Sequence, residues 1–138
     1  MAGALVFLLT VLLIVFLFPF KLTVVPPWPL RVFDETGSPV RATNVTEHWQ
    51  HYDFETEGHE EVRQTDDSGQ VDFPERSIRI NLLSRIITGF NDWRGRPLNP
   101  RSDPYGSLVV WGNPALEVGI AVYEPETAPP EQLRVRRR

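Results

Sequence analysis

The chain has 138 residues, a formal net charge of −4, 13 prolines, nine glycines and no cysteine. That length bounds it to one domain once any membrane segment is set aside. The missing cysteine excludes a disulfide framework, a thiolate metal site and a cysteine nucleophile, and no overall basic character marks a nucleic-acid binder.

Residues 4–18 carry no charge and are almost entirely Leu, Val, Ile and Phe. A spanning helix needs about 20 apolar residues, with about 17 as a lower limit. Residues 2–21 reach that length if Lys21 snorkels to the interface, so the expectation is an N-terminal transmembrane anchor. A cleaved signal peptide is the competing reading. It would want a basic leading segment and small residues at the cleavage site, whereas only the terminal amine precedes the run and Thr23-Val24-Val25 follows it. Lys21, Arg31 and Arg41 all lie after the segment, which by the positive-inside rule favours a cytoplasmic domain. Residues 22–29, with Pro26, Pro27 and Pro29, read as a stiff spacer in which Trp28 suits the membrane interface.

About 110 residues follow, enough for a core of moderate size. Residues 30–34 read as a first strand and residues 40–49 as a second, separated by the turn cluster Asp34-Glu35-Thr36-Gly37-Ser38-Pro39. A second turn, Asp66-Asp67-Ser68-Gly69, repeats the pattern ahead of Gln70-Val71-Asp72-Phe73, and both are expected to close hairpins. In residues 40–49 neither alternating face is cleanly apolar, which predicts a bulge or an edge position. The charged stretch 57–65 predicts a strand that is solvent-facing or at an edge, where charges discourage aggregation.

Together V-F-D-E-T-G-S-P-V-R-A-T-N-V and T-D-D-S-G-Q-V-D-F-P resemble the carboxypeptidase regulatory-like, or transthyretin-like (prealbumin-like), β-sandwich domains. The resemblance covers residues 30–75, with 76–124 as a plausible continuation. It implies a small module of an exported or surface protein, and so an extracytoplasmic domain on a single-pass anchor, against the charge rule above. The wider group includes 5-hydroxyisourate hydrolase, whose histidine and arginine motifs and Tyr-Arg-Gly-Ser end are not matched here. This chain ends Val-Arg-Arg-Arg, and its three histidines all lie within residues 48–59. No catalytic role carries over.

His48, His51 and His59 invite a metal reading, but residues three apart on a strand face opposite sides. Asp66, Asp67 and Asp72 invite a calcium reading, but the EF-hand spacing is not met, and aspartates favour turns by bonding their own backbone amides. No cofactor is expected. Ile78, Leu82, Ile86 and Phe90 recur every four residues, predicting a short amphipathic helix near 78–88, although Ile78, Ile80 and Leu82 also alternate as a strand would. Residues 91–106 read as a long loop bearing Trp93, Arg94, Arg96 and Arg101. Residues 107–111 and 117–123 form a closing hairpin. Residues 125–138 read as a Pro-rich, basic, solvated tail.

There is no P-loop, dinucleotide fingerprint, nucleophile elbow or zinc-protease motif. The expected architecture is an all-β sandwich of about seven strands over residues 30–124, with one short helix and an N-terminal transmembrane helix. The expected function is non-catalytic: a membrane-anchored module for structural or protein–protein interaction in the cell envelope. Its candidate binding residues are Trp93, Arg94, Arg96, Trp111 and Trp49, because Trp and Arg recur at binding hot spots. The alternative is a surface glycan-binding module using Trp49, Tyr52, Trp93 or Trp111 as stacking platforms. An enzyme of the transthyretin-like group comes third.

Overall fold

A computed structural model describes residues 2–93 and 104–138. In chain order the elements are α1 (Ala2–Leu17), β1 (Pro19–Val25), β2 (Trp28–Phe33), β3 (Asn44–His51), β4 (His59–Gln64), β5 (Gln70–Phe73), β6 (Arg76–Asn81), α2 (Leu82–Trp93), β7 (Pro104–Val110), β8 (Gly119–Tyr123) and β9 (Gln132–Arg134). They divide into two compact units. One comprises Met1–Leu22 and Ser77–Pro100, the other Thr23–Arg76 and Arg101–Arg138.

The larger unit carries a three-stranded sheet, β5-β2-β9, and a four-stranded sheet, β4-β3-β7-β8. These seven strands agree with the expected mostly-β, sandwich-like architecture, while β1 and β6 pair separately as a two-stranded sheet. Alternation explains the core. In β2, Trp28, Leu30 and Val32 are fully buried and the residues between them are not. Val45, Leu108, Val110 and Ala121 fill the buried face of the four-stranded sheet.

Trp28 therefore does not serve a membrane interface. It opens β2 opposite Phe73, is wholly buried, and its indole Nε1–H donates to the Pro130 carbonyl at 2.7 Å. The supposed spacer is mostly strand, because Pro at a strand's start or edge costs no ladder hydrogen bond.

Both turns form, with Gly37 at φ 82° and Gly69 at φ 75°. In each, one aspartate oxygen organises the loop. Asp34 Oδ1 accepts from Thr36 N, Thr36 Oγ1 and Ser38 N; Asp66 Oδ1 accepts from Ser68 N, Ser68 Oγ and Gln70 N. The hairpin expectation needs correction, since the strands flanking each turn lie in different sheets. The chain turns back only briefly, through a Phe33–Pro39 bridge, and Ala42 at φ 51° precedes the crossing to β3. The second turn instead packs against the first: Val32 N donates to Gly69 O at 2.9 Å, and a β-carbon at Gly69 would lie 3.1 Å from that of Pro39.

Strand β4 lies at a sheet edge, as its charges suggested, but β3 is neither bulged nor an edge. It lies between β4 and β7, and its inward acid, Glu47, is accommodated by an arginine (below). The basic terminus is not a solvated tail either. It supplies β9, parallel to β2, buries Val135, and runs on to a bridge between Leu116 and Arg137.

In the smaller unit, α1 stops at Leu17 and residues from Pro19 onward are strand. Its 16 residues rise about 24 Å, against about 30 Å of hydrocarbon in a bilayer. Among the described residues no helix is long and apolar enough to cross a membrane, and α1 is shorter than the helix expected over 2–21. Pro19, which lacks a backbone N–H, marks the end of the helix. The later helix also begins after its expected start: residues 76–81 are strand, and α2 then runs through to Trp93, with Ser84 N bonded to Asn81 Oδ1 at 2.8 Å.

Candidate functional site

The four-stranded sheet carries two features of interest, one on its outer face and one around the β3–β4 hairpin. On the outer face, strand register lines up Val62, Thr46, Val109 and Ile120 as one cross-strand row. The next row is Glu60, His48, Ser107 and Val122. Trp111, just past β7, has its indole Nε1–H bonded to Thr46 Oγ1, which sets the ring over the first row. Thr46 is buried, while Trp111 itself is 52% exposed and Val62, Ile120 and Val122 are exposed on the same face. Beyond Trp111 a shallow cavity of about 220 Å³ includes Asn113, Leu116, Val118 and Arg138 in its wall.

Around the hairpin lies a cavity of about 320 Å³ lined chiefly by His48, Trp49, Gln50, Tyr52, His59 and Tyr105. Local chemistry builds it. Glu55 Oε2 accepts the His51 amide at 2.8 Å, Glu55 Oε1 meets His59 Nε2 at 2.7 Å, and Gln50 Nε2 donates to the Glu55 carbonyl at 3.1 Å. The loop between β3 and β4 is thus fastened at three points to one residue. The Tyr52 and Tyr105 rings lie 6.1 Å apart, a distance at which aromatic pairs interact.

Trp49 is already engaged. Its ring stacks on His59 with centroids 5.3 Å apart, and the Arg76 guanidinium sits 4.1 Å from its centroid. The same guanidinium donates to Glu47 Oε2 through Nε at 2.8 Å and Nη2 at 2.6 Å, and it pairs with Glu61 as well. Glu47 is wholly buried, and its Oε1 has no hydrogen-bond partner among the described residues. Burial pushes the Glu47 carboxyl above its usual range, with Arg76 opposing. Glu61 moves the other way, held down by hydrogen bonds from Arg63 and Arg76.

Of the sequence-predicted residues, Trp49 and Tyr52 share the hairpin cavity, while Trp111 stands apart on the outer face. Trp93 is the last residue of α2 rather than part of a loop, and β7 already begins at Pro104. Arg94 and Arg96 lie outside the described residues. The three histidines do not converge on a metal: among the described residues no group of three His, Asp or Glu has metal-holding geometry. Asp66 Oδ1 is taken up by its own turn. Sequence reasoning missed Arg76, Glu55, His59 as a stacking partner, and Tyr105. The available signal was the parity of β3, which places Glu47 on the same face as Val45 and so demands a cation from elsewhere in the fold.

Compared with known proteins, the chain matches no family model, no curated protein and no solved structure.

Proposed function

We propose that the chain is a non-catalytic, membrane-anchored binding module whose outer sheet face docks a protein partner. The observation that carries this reading is the exposed Trp111, bonded to Thr46, with Val62, Ile120 and Val122 exposed on the same sheet face. Exposed apolar side chains on the solvent face of a sheet, with a hydrogen-bonded Trp beside them, have the composition of a binding surface. The interaction reading for residues 91–106 thus moves to Trp111. Anchoring draws support from α1, whose apolar side chains are exposed along its length. Insertion of α1 into lipid would cover them, within the envelope setting that the resemblance implies. The paired Asp-x-[Ser/Thr]-Gly turns and the seven-stranded larger unit favour a transthyretin-like sandwich.

The glycan reading keeps one observation in its favour, the cavity of Trp49, Tyr52 and Tyr105. It is weakened because His59 and Arg76 already occupy the Trp49 ring.

The test is Trp111→Ala in the full chain, read by thermal unfolding and by photo-crosslinking from position 120 in native membranes. A variant that stays cooperatively folded, melting only slightly below wild type, but loses its specific protein adduct supports the docking reading. Unchanged adducts overturn it. Glycan retention that is lost in Tyr52→Ala but kept in Trp111→Ala would transfer the function to the hairpin cavity.

A further inference from the structure

In the smaller unit, α2 is an amphipathic helix whose apolar side faces outward. Leu83, Ile86, Ile87 and Phe90 follow the i, i+3, i+4, i+7 spacing of a single stripe and are 41%, 49%, 51% and 49% exposed. On the other side of the helix Ser84 and Thr88 are only partly exposed. A helix in water does the reverse, burying its apolar stripe and solvating its polar one.

The neighbouring helix identifies what covers that stripe. Within the same unit α2 contacts α1, and α1 has no polar stripe at all. Leu, Val, Ile and Phe side chains are exposed all along it. Its one hydroxyl, Thr10 Oγ1, donates to the Val6 carbonyl of its own helix at 2.9 Å, so no polar side chain of α1 looks outward for a partner. Internal satisfaction of this kind is what hydrocarbon surroundings require. Arg79 and Arg85 are exposed on and beside α2, with Arg85 opposite the stripe, where a lipid phosphate would be met.

We propose that α2 is an in-plane interfacial helix, its Leu83, Ile86, Ile87 and Phe90 stripe sunk into the acyl boundary of a bilayer as a second membrane contact beside α1. The proposal rests on the reading of α1 as lipid-embedded and adds a helix that lies on the membrane rather than entering it.

The missing cysteines make the test clean, since every introduced thiol is the only one in the chain. Nitroxide labels at Leu83→Cys, Ile86→Cys, Ile87→Cys and Arg85→Cys, with Leu9→Cys in α1, are read in full-length protein in phosphatidylcholine–phosphatidylglycerol vesicles. Collision with oxygen and with a water-soluble nickel chelate gives the depth of each. The expected result is several-fold lower nickel accessibility and higher oxygen accessibility at 83, 86 and 87 than at 85. Nickel accessibility equal to that of 85, while position 9 stays in lipid, overturns the proposal and leaves the anchor standing. Labels shielded from both reagents and broadened by a neighbouring spin also overturn it, assigning the stripe to a second copy of this chain. A water-exposed position 9 sinks the anchor itself.

Discussion

Two donors of Arg76 converge on a single oxygen of Glu47, Nε at 2.8 Å and Nη2 at 2.6 Å, and leave the other carboxylate oxygen buried without a hydrogen-bond partner among the described residues. Removing one member of a buried pair costs more than the pair contributes, because an uncompensated charge stays behind. Arg76→Ala is therefore expected to destabilise the fold by about 3–5 kcal/mol, and Glu47→Leu with Arg76→Leu by much less. The sign with pH is fixed by the raised Glu47 carboxyl. An acid that holds its proton more tightly when folded gains stability as pH falls through its folded value. Denaturant titrations of Arg76→Ala should recover stability on acidification toward 4.5, the ordinary Glu value. A flat or falling profile over that range would show that Glu47 is not the group left unpaired.

Asp34 and Asp66 carry the opposite sign. Hydrogen bonds, first from the Thr36 and Ser68 hydroxyls, hold both carboxyls below their ordinary value of 3.8. Their contribution is complete above that value and is lost as pH falls below it. Asp34→Asn and Asp66→Asn should each be less stable near neutrality and lose less on further acidification than wild type. A wild-type acid limb in both variants would dismiss the turns as the acid-labile elements.

The two turn glycines separate strain from crowding. A β-carbon at Gly37 meets nothing within 4 Å, so Gly37→Ala faces only the left-handed backbone, about 1–2 kcal/mol. At Gly69 the same atom would lie 2.7 Å from the Val32 carbonyl and 3.2 Å from the Val40 amide. Gly69→Ala should melt markedly lower than Gly37→Ala, and equal melting temperatures would contradict the packing of one turn on the other.

Trp28 and Trp111 should part company in stability. Trp28→Ala empties a fully buried site and strands the Pro130 carbonyl, an expected loss of about 3–5 kcal/mol. Trp111→Ala removes an exposed ring and one hydrogen bond, an expected loss of about 1 kcal/mol. Chemical denaturation of the two variants reads the difference directly.

Truncation after Pro130 tests the last strand. It removes β9, the buried Val135, and the ion pairs of Arg137 with Asp34 and Arg136 with Glu35. The shortened chain should melt well below the full one and expose the edge of β2. A melting temperature close to wild type would restore the view of residues 125–138 as a solvated tail.

Local chemistry settled what lies within a few residues. The Asp-x-[Ser/Thr]-Gly spacing was enough to predict both turns, because the aspartate, the hydroxyl and the left-handed glycine all belong to one loop. A solvent-facing or edge position for β4 was legible in its charges, and the amphipathic stripe of α2 in its four-residue spacing. Pairing over long separations was not legible. Whether Val40 turns back on Val32 or crosses to another sheet depends on which neighbours β2 finds, and these are β5 and β9, the second of them about 100 residues away. Glu47 looked like a break in an apolar face until Arg76 arrived from beyond Pro74 to pair with it. Trp28 looked interfacial and the fold buried it, whereas Trp111, expected among the binding residues, is half exposed. Each indole is fixed by an acceptor distant in sequence, the Pro130 carbonyl for Trp28 and the Thr46 hydroxyl for Trp111, and no local pattern reveals such a partner.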